Sequence, residues 1–404
     1  MDKKKEIIAC TDHGLYSVHT LEIKMDIHDG NESRIRRLLE RHCEKNNQRS
    51  GLYNKNFNKK RGISYRDFGF ANRYTCYDNV ELFNKGISDI RHVEWVSLSD
   101  GVPFVIQRSM RFQLNPRILL GHDDKYIRIL PNEEADMVVP ALVEAFTPYG
   151  IDWYDFMDAK INRMDLCANI RLDTQDLAEK YLKILQKSGT VRGLGNKIKE
   201  YDKVSHHSRY PSNTVCLRNT AKKTDSYRQE FVIYPKYTQM IEYPTFYDEE
   251  ETRRAEGQLR FELHMRRRKF EYIENKYGCT TLNDSMELSG YMGKVILGRY
   301  LGKIFGTGKI MSYSRTIKQI DSLKWQQRVR EKMKMVVQQT KSFDMDVALG
   351  SIFGENCNAK RNYIGYFNKA GISPITVPDS WDISEFENPI TYIETRNVNE
   401  RDLE

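Results

Sequence analysis

Residues 259–266 read Leu-Arg-Phe-Glu-Leu-His-Met-Arg, and this stretch decides the predicted fold of the larger part of the chain. Apolar and polar residues alternate through it, which predicts a β-strand with one face toward a core. Glu262 and His264 are two positions apart, so their side chains point the same way. A carboxylate beside an imidazole can bind a divalent metal. A surface ladder of glutamate and arginine is the alternative interpretation.

Two more stretches have the same alternation. Residues 161–170, Ile-Asn-Arg-Met-Asp-Leu-Cys-Ala-Asn-Ile, place Asp165 at the centre of a predicted strand, where aspartate is unfavourable. Either Asp165 has a specific role, or this is an edge strand with a solvated carboxylate.

Residues 231–237, Phe-Val-Ile-Tyr-Pro-Lys-Tyr, place Tyr234 and Lys236 on one face, with Pro235 favouring a strand end or edge. Tyr234 is alternatively an ordinary amphipathic tyrosine, of which the chain has 24.

The rest of the chain supports an α+β fold: a mostly antiparallel sheet with helices packed on one face, followed by a small all-helical domain. Strand alternation recurs at 20–25 and 104–114, a helix is predicted over 173–187, and 46–72 and 188–213 form polar loops. Beyond residue 280 the period becomes helical, at 282–305, 313–339, 344–353 and 359–369. We therefore predict domains at 1–280 and 285–376, with an acidic tail over 377–404 that frays.

Composition narrows the class of protein. The chain has 404 residues, enough for two domains, and a net charge of +8, which favours a polyanionic partner such as nucleic acid, although many proteins are mildly basic. Its seven cysteines are scattered without a C-x-x-C pair, which argues against a disulfide framework or a zinc ribbon. No signal-peptide or membrane-spanning apolar run is present. Gly302–Lys309 lacks the spacing of a phosphate-binding loop.

Taken in order, these motifs resemble the filamentous-phage gene II replication proteins and related plasmid rolling-circle initiators, which are HUH-like tyrosine endonucleases. The three strands match as Arg163-Met164-Asp165, Tyr234-Pro235-Lys236 and Arg260-Phe261-Glu262. The segments 114–122 and 361–372 are also similar to family motifs, so the resemblance covers about 110–376. One departure is Asn169, where related initiators often place a second acidic residue.

The resemblance implies a site and a reaction. Tyr234 would be the nucleophile that forms a 5′-phosphotyrosine, and Tyr227 or Tyr237 would be next in line. Lys236 would either lower the pKa of Tyr234 or stabilise the developing charge. Asp165, Glu262 and His264 would bind Mg²⁺ or Mn²⁺. The candidate phosphate contacts are the basic residues Arg163, Arg260, Arg266, Arg267, Arg268, Lys222 and Lys223, and the stretch Lys59-Lys60-Arg61.

The resemblance also implies the partners. These are origin DNA, either single-stranded or an extruded hairpin, and a host helicase and polymerase in the cytoplasm of a bacterial cell. The helices at 344–353 and 359–369 form either a helix-turn-helix that reads duplex DNA or a subdomain that packs on the nuclease. A mobilisation relaxase or transposase of the same superfamily is one alternative. A basic, non-enzymatic regulator that binds nucleic acid is another.

Overall fold

The computed structural model of the chain describes residues 15–27, 31–41, 49–53, 70–99, 102–122, 127–198, 200–202, 207–209, 213–219, 228–242 and 247–396. These residues form an α+β fold with a large antiparallel sheet and a helical C-terminal region, as the sequence predicted. None of the helices within these ranges combines the length and the apolar character needed to cross a bilayer.

The five predicted strands are present; four are one to four residues longer than predicted, and β11 is shifted two residues toward the N-terminus. Their bounds are β1 Ser17–Asp26, β2 Arg49–Tyr53, β3 Phe70–Tyr77, β4 Ile87–Ser99, β5 Val102–Leu114, β6 Lys160–Arg171, β7 Asn196–Lys197, β8 Glu200–Asp202, β9 His207–Arg209, β10 Val215–Arg218, β11 Gln229–Pro235, β12 Gln258–Arg266, β13 Ile310–Met311 and β14 Glu385–Phe386. Strand β2, the first three residues of β3 and strands β7 to β9 lie where the sequence suggested only polar loops.

The helices are α1 Glu32–Arg41, α2 Val80–Asn84, α3 Pro116–Leu119, α4 Val138–Phe146, α5 Trp153–Met157, α6 Gln175–Leu185, α7 Lys236–Glu242, α8 Glu249–Arg254, α9 Arg267–Tyr277, α10 Leu282–Glu287, α11 Ser289–Met292, α12 Gly298–Phe305, α13 Tyr313–Ser322, α14 Gln327–Thr340, α15 Met345–Phe353, α16 Cys357–Ala370 and α17 Pro389–Thr395. A π-helical turn, Gly293–Leu297, joins α11 to α12. Short 3₁₀ helices occupy Asn132–Met137, Thr147–Tyr149 and Asp379–Trp381.

The chain forms two compact units. The first takes the described residues of 1–166 and 265–291, and the second those of 167–224, 228–264 and 292–404. The sheet order is β2-β3-β4-β5-β1-β6 in the first unit and β6-β12-β11-β10-β7 in the second, with β6 and β12 contributing to both. The predicted domain division at 280–285 stays a prediction.

Aromatic packing anchors helices in each unit. In the first unit, the Phe112 ring on β5 lies 5.0 Å from Phe146 on α4, and Phe146 lies 5.9 Å from Phe156 on α5. In the second unit, Phe231 on β11 lies 6.3 Å from Phe305 on α12. Helices α6 and α7 both contact β11, the strand that carries Tyr234.

Helices form where a helical period was predicted, although the stretches 282–305 and 313–339 are each divided. The helix predicted over 173–187 is α6, capped by the Thr174 side chain, and the pair predicted at 344–353 and 359–369 is α15 and α16. The single helix predicted over 313–339 is instead two, α13 and α14. Leu323 takes an extended backbone and ends the first of them. The bend lets Lys334 bond the Asp321 carboxylate at 3.0 Å, a contact that one straight helix does not allow.

The prediction that the acidic tail frays is wrong for residues 377–396. Strand β14 pairs with β13, and Ile393 of α17 is fully buried. The Tyr181 ring of α6 lies 5.0 Å from Phe386 and 5.3 Å from Tyr392. Apolar residues lie between the acidic ones in this segment, and two of them, Phe386 and Tyr392, pack on α6. Residues 397–404 lie outside the described ranges.

Candidate active site

Strand β12 carries the central residues of the candidate site. Its start depends on Gly257, whose φ of +73° is favourable only for glycine and whose Cβ, if present, would lie 2.2 Å from the Leu172 carbonyl oxygen. Leu259, Phe261, Leu263 and Met265 are fully buried, as predicted for the core face. The polar face is covered as well, since Arg260 is 0% and Glu262 only 6% exposed. A solvated surface ladder is therefore excluded.

Tyr234 and Glu262 are joined by a short hydrogen bond. The Tyr234 hydroxyl donates a hydrogen bond to Oε1 of Glu262 over 2.6 Å. Tyr234 is half-buried near the end of β11. Burial and the adjacent Glu262 carboxylate raise the pKa of Tyr234 well above its usual value, against an opposing contribution from Arg260. The phenol is therefore protonated at neutral pH, with a carboxylate placed to accept its proton.

Glu262 is also bonded to its neighbour on the same strand. Nε2 of His264 lies 3.0 Å from Oε2 of Glu262, with the donor depending on the imidazole tautomer. Nη1 of Arg260 lies 3.9 Å from Oε1 of Glu262 and supplies a buried positive charge. Phenol, carboxylate and imidazole thus form one hydrogen-bonded chain, Tyr234–Glu262–His264, beside a guanidinium.

Arg260 is a structural group of this site and not a phosphate contact, which corrects the sequence prediction. Its side chain is completely buried, and Nε donates to Oδ1 of Asn169 on β6 over 2.9 Å. Asn169 itself is 2% exposed. A buried guanidinium without solvent access cannot reach a DNA backbone. The amide of Asn169 instead orients this arginine.

Lys236 differs from its predicted place. The strand ends at Pro235, which has no N–H to continue the ladder, and Lys236 begins α7. Its side chain is 2% exposed, and Nζ donates to Oε1 of Gln239 over 2.8 Å. Burial, reinforced by Arg260, lowers the pKa of Lys236 to about 7. A role of Lys236 toward Tyr234 stays a prediction.

Asp165 lies on β6 in the first unit, whereas Tyr234, Glu262 and His264 belong to the second. It is 2% exposed, so the solvated edge-strand interpretation is wrong. Arg163 donates to both of its oxygens, from Nε to Oδ1 over 2.7 Å and from Nη2 to Oδ2 over 2.6 Å. A third metal ligand at Asp165 stays a prediction.

Two of the other predicted phosphate contacts are held in ion pairs. Nη1 of Arg266 bonds Glu22 at 3.0 Å, and Nη1 of Arg267 pairs with Glu274 at 2.8 Å. Arg268 is exposed at the start of α9. The predictions for Lys222, Lys223, Tyr227 and Lys59-Lys60-Arg61 lie outside the described residues.

The donors at Glu262 and His264 fit a divalent cation. Oε2 of the carboxylate and Nε2 of the imidazole are close enough to face one point, and oxygen with nitrogen suits Mn²⁺ well and Mg²⁺ acceptably.

Asn169 is the site residue whose role sequence reasoning missed. The feature that could have indicated its role is the amide side chain itself, at a strand position where an apolar or an acidic residue is expected.

Comparisons of the chain with protein-family models, with curated proteins and with solved structures found no match. Any functional assignment of the Tyr234 site therefore depends on the chemistry of its own residues.

Proposed function

We propose that the chain is a rolling-circle replication initiator with an HUH-like nuclease fold, which nicks and rejoins origin DNA through Tyr234. The observation that carries the proposal is the 2.6 Å hydrogen bond from the Tyr234 hydroxyl to Glu262, continued by His264. A phenol bonded to a carboxylate, itself bonded to an imidazole, is an arrangement that can activate an oxygen nucleophile.

The protonated state of Tyr234 defines how it would attack. Because its pKa is raised, the phenolate is not formed beforehand. Instead, the proton passes to Glu262 as Oη bonds to the phosphorus of the scissile phosphodiester. The bond from phosphorus to the 3′-oxygen breaks, and this oxygen takes a proton from water, which leaves a 5′-phosphotyrosine and a free 3′-OH. Attack by a 3′-OH on the phosphotyrosine reverses the step and rejoins the strand.

Arg260 and His264 would stabilise the charges on Glu262 during this transfer. The buried guanidinium, 3.9 Å from Oε1, favours the carboxylate form in which Glu262 accepts the proton. His264, bonded to the other oxygen, orients the carboxylate. Mg²⁺ or Mn²⁺ would bind Glu262 and His264 in place of the hydrogen bond between them, with Asp165 as a proposed third ligand, and would supply charge stabilisation at the scissile phosphate.

The remaining assignments belong to the same proposal. The substrate is single-stranded or extruded origin DNA, a host polymerase extends the 3′-OH, and a host helicase unwinds the template, all in the cytoplasm of a bacterial cell. Within the region that the structure describes, the exposed Arg268 supports a phosphate contact beside β12. A relaxase or transposase would use the same chemistry.

The test is a covalent-adduct assay. Single-stranded oligonucleotides that tile the DNA flanking the gene, labelled at the 3′ end, are incubated with protein and Mn²⁺ and resolved on a denaturing gel. Wild type should form a protein–DNA adduct that Tyr234→Phe abolishes and the matched Tyr237→Phe retains. Glu262→Gln should slow adduct formation by about 10²–10⁴-fold.

Other outcomes would change the assignment. An adduct that persists in Tyr234→Phe would move the nucleophile to Tyr237 or Tyr227. Binding without any adduct, for every oligonucleotide, would favour the non-enzymatic regulator.

A further inference from the structure

A second cluster of metal-binding groups lies in the first unit, on α1 and β4. Glu32 is the first residue of α1, and His92 and Glu94 are two apart on β4. One oxygen from each carboxylate and one imidazole nitrogen all lie within 4.8 Å of one another. His92-Val93-Glu94 has the same spacing as Glu262-Leu263-His264, but Glu32 is distant in sequence, so no short pattern predicted this set.

The imidazole of His92 is the observation that sets this cluster apart from a surface ion pair. His92 is only 3% exposed, and its Nε2 is buried without a hydrogen-bond partner in the part of the chain that the structure describes. Oε1 of Glu32 lies 3.8 Å from this nitrogen, too far for a hydrogen bond. A buried nitrogen left without a partner costs about 1–3 kcal/mol, so such groups ordinarily have a role.

The spacing of the donors fits a cation between them. Ligand distances of about 2.0–2.2 Å in a tetrahedral site place neighbouring donor atoms roughly 3.3–3.6 Å apart. The separation of 3.8 Å between Nε2 of His92 and Oε1 of Glu32 is close to that range. Small side-chain adjustments would bring the donors to a shared ion.

Arg108 on β5 lies next to the carboxylates and would compete with a metal. It is directly opposite Glu94 in the β4–β5 register. Its Nε lies 3.1 Å from Oε2 of Glu32 and 3.5 Å from Oε1 of Glu94. Arg36 of α1 also pairs with Glu32, at 3.4 Å. These arginines balance the two negative charges, but neither satisfies Nε2 of His92.

We propose that Glu32, His92 and Glu94 bind one divalent transition-metal ion of the Zn²⁺ type, which ties the start of α1 to β4. Two carboxylate oxygens and an imidazole nitrogen favour Zn²⁺ over Mg²⁺, which prefers oxygen and retained water. Three protein ligands leave a fourth position for water. Binding displaces Arg108 from the carboxylates. This site is separate in sequence and in ligands from the one proposed at Glu262 and His264.

The test measures Zn²⁺ binding by calorimetry and Co²⁺ binding by visible absorption, using the full chain freed of metal by a chelator. All variants carry Glu262→Gln, so that a cation at Glu262 and His264 is not counted. We expect one Zn²⁺ per chain and intense Co²⁺ bands of a four-coordinate site. Glu94→Gln should weaken binding at least tenfold, whereas Arg108→Gln should tighten it severalfold. The matched control is Glu40→Gln, an exposed carboxylate on α1.

Thermal unfolding separates loss of the site from loss of the fold. Added Zn²⁺ should raise the Tm of the parent and of Glu40→Gln but not that of Glu94→Gln, because a ligand stabilises only the state that binds it. The proposal is overturned if the parent binds no Zn²⁺, or if Glu94→Gln binds it as tightly. It is equally overturned if Arg108→Gln loses stability without gaining affinity, the result expected of a plain ion-pair network.

Discussion

The hydroxyl of Tyr234 donates to Oε1 of Glu262 over 2.6 Å, joining strands β11 and β12 at the centre of the candidate site. Hydrogen bonds to charged groups contribute about 1.5–3 kcal/mol. In a double-mutant cycle of Tyr234→Phe and Glu262→Gln, we therefore expect a coupling energy of that size, measured by urea unfolding without metal. Additive losses would mean that the bond is not maintained in solution.

Lys236 should make stability depend on pH. Its folded pKa, about 7, is below that of an unfolded lysine, so the unfolded chain binds more protons between these values. The free energy of unfolding of wild type should therefore rise, relative to Lys236→Met, from pH 7 to about pH 10, by up to about 1.4 kcal/mol per pH unit. Below pH 7 the difference should stay constant.

Urea unfolding across this range checks the prediction for Lys236. The matched control is Lys369→Met, an exposed lysine on α16, which should run parallel to wild type. Parallel curves for Lys236→Met as well would show that Lys236 stays charged when folded.

Arg260 should matter for stability and not directly for DNA affinity. Arg260→Met removes the positive charge that balances the buried Glu262 carboxylate, and it removes the guanidinium that bonds Asn169. We therefore expect the free energy of unfolding to fall by about 3–5 kcal/mol. Arg268→Met, at an exposed position, should change stability by less than about 0.5 kcal/mol. Stability unchanged in Arg260→Met, together with weaker DNA binding, would restore the phosphate-contact prediction.

The C-terminal segment should contribute to the fold through Ile393. Because this side chain is fully buried, Ile393→Ala should cost about 2–5 kcal/mol in the free energy of unfolding. The control is Ile364→Ala on α16, where isoleucine is 37% exposed and the cost should be small. Equal effects of the two substitutions, measured by denaturant titration, would mean that α17 is detached in solution.

Sequence patterns predicted the elements that depend on local chemistry. Alternation located β6, β11 and β12, and the helical period located α6 and α15. These patterns gave wrong predictions where contacts between distant residues decide the structure of a segment. Leu323 interrupts a helical period, and α17 packs on α6 despite its acidic surroundings.

That Glu262 and His264 are neighbours can be predicted from the sequence alone, because side chains two apart on a strand point the same way. Three other relationships depend on tertiary contacts: the bond from Tyr234 to Glu262, the burial of Arg260 against Asn169, and the approach of Glu32 to His92. Strand alternation is a local property of the backbone. Strand order and burial depend on how distant segments pair and exclude water, and no short pattern encodes them.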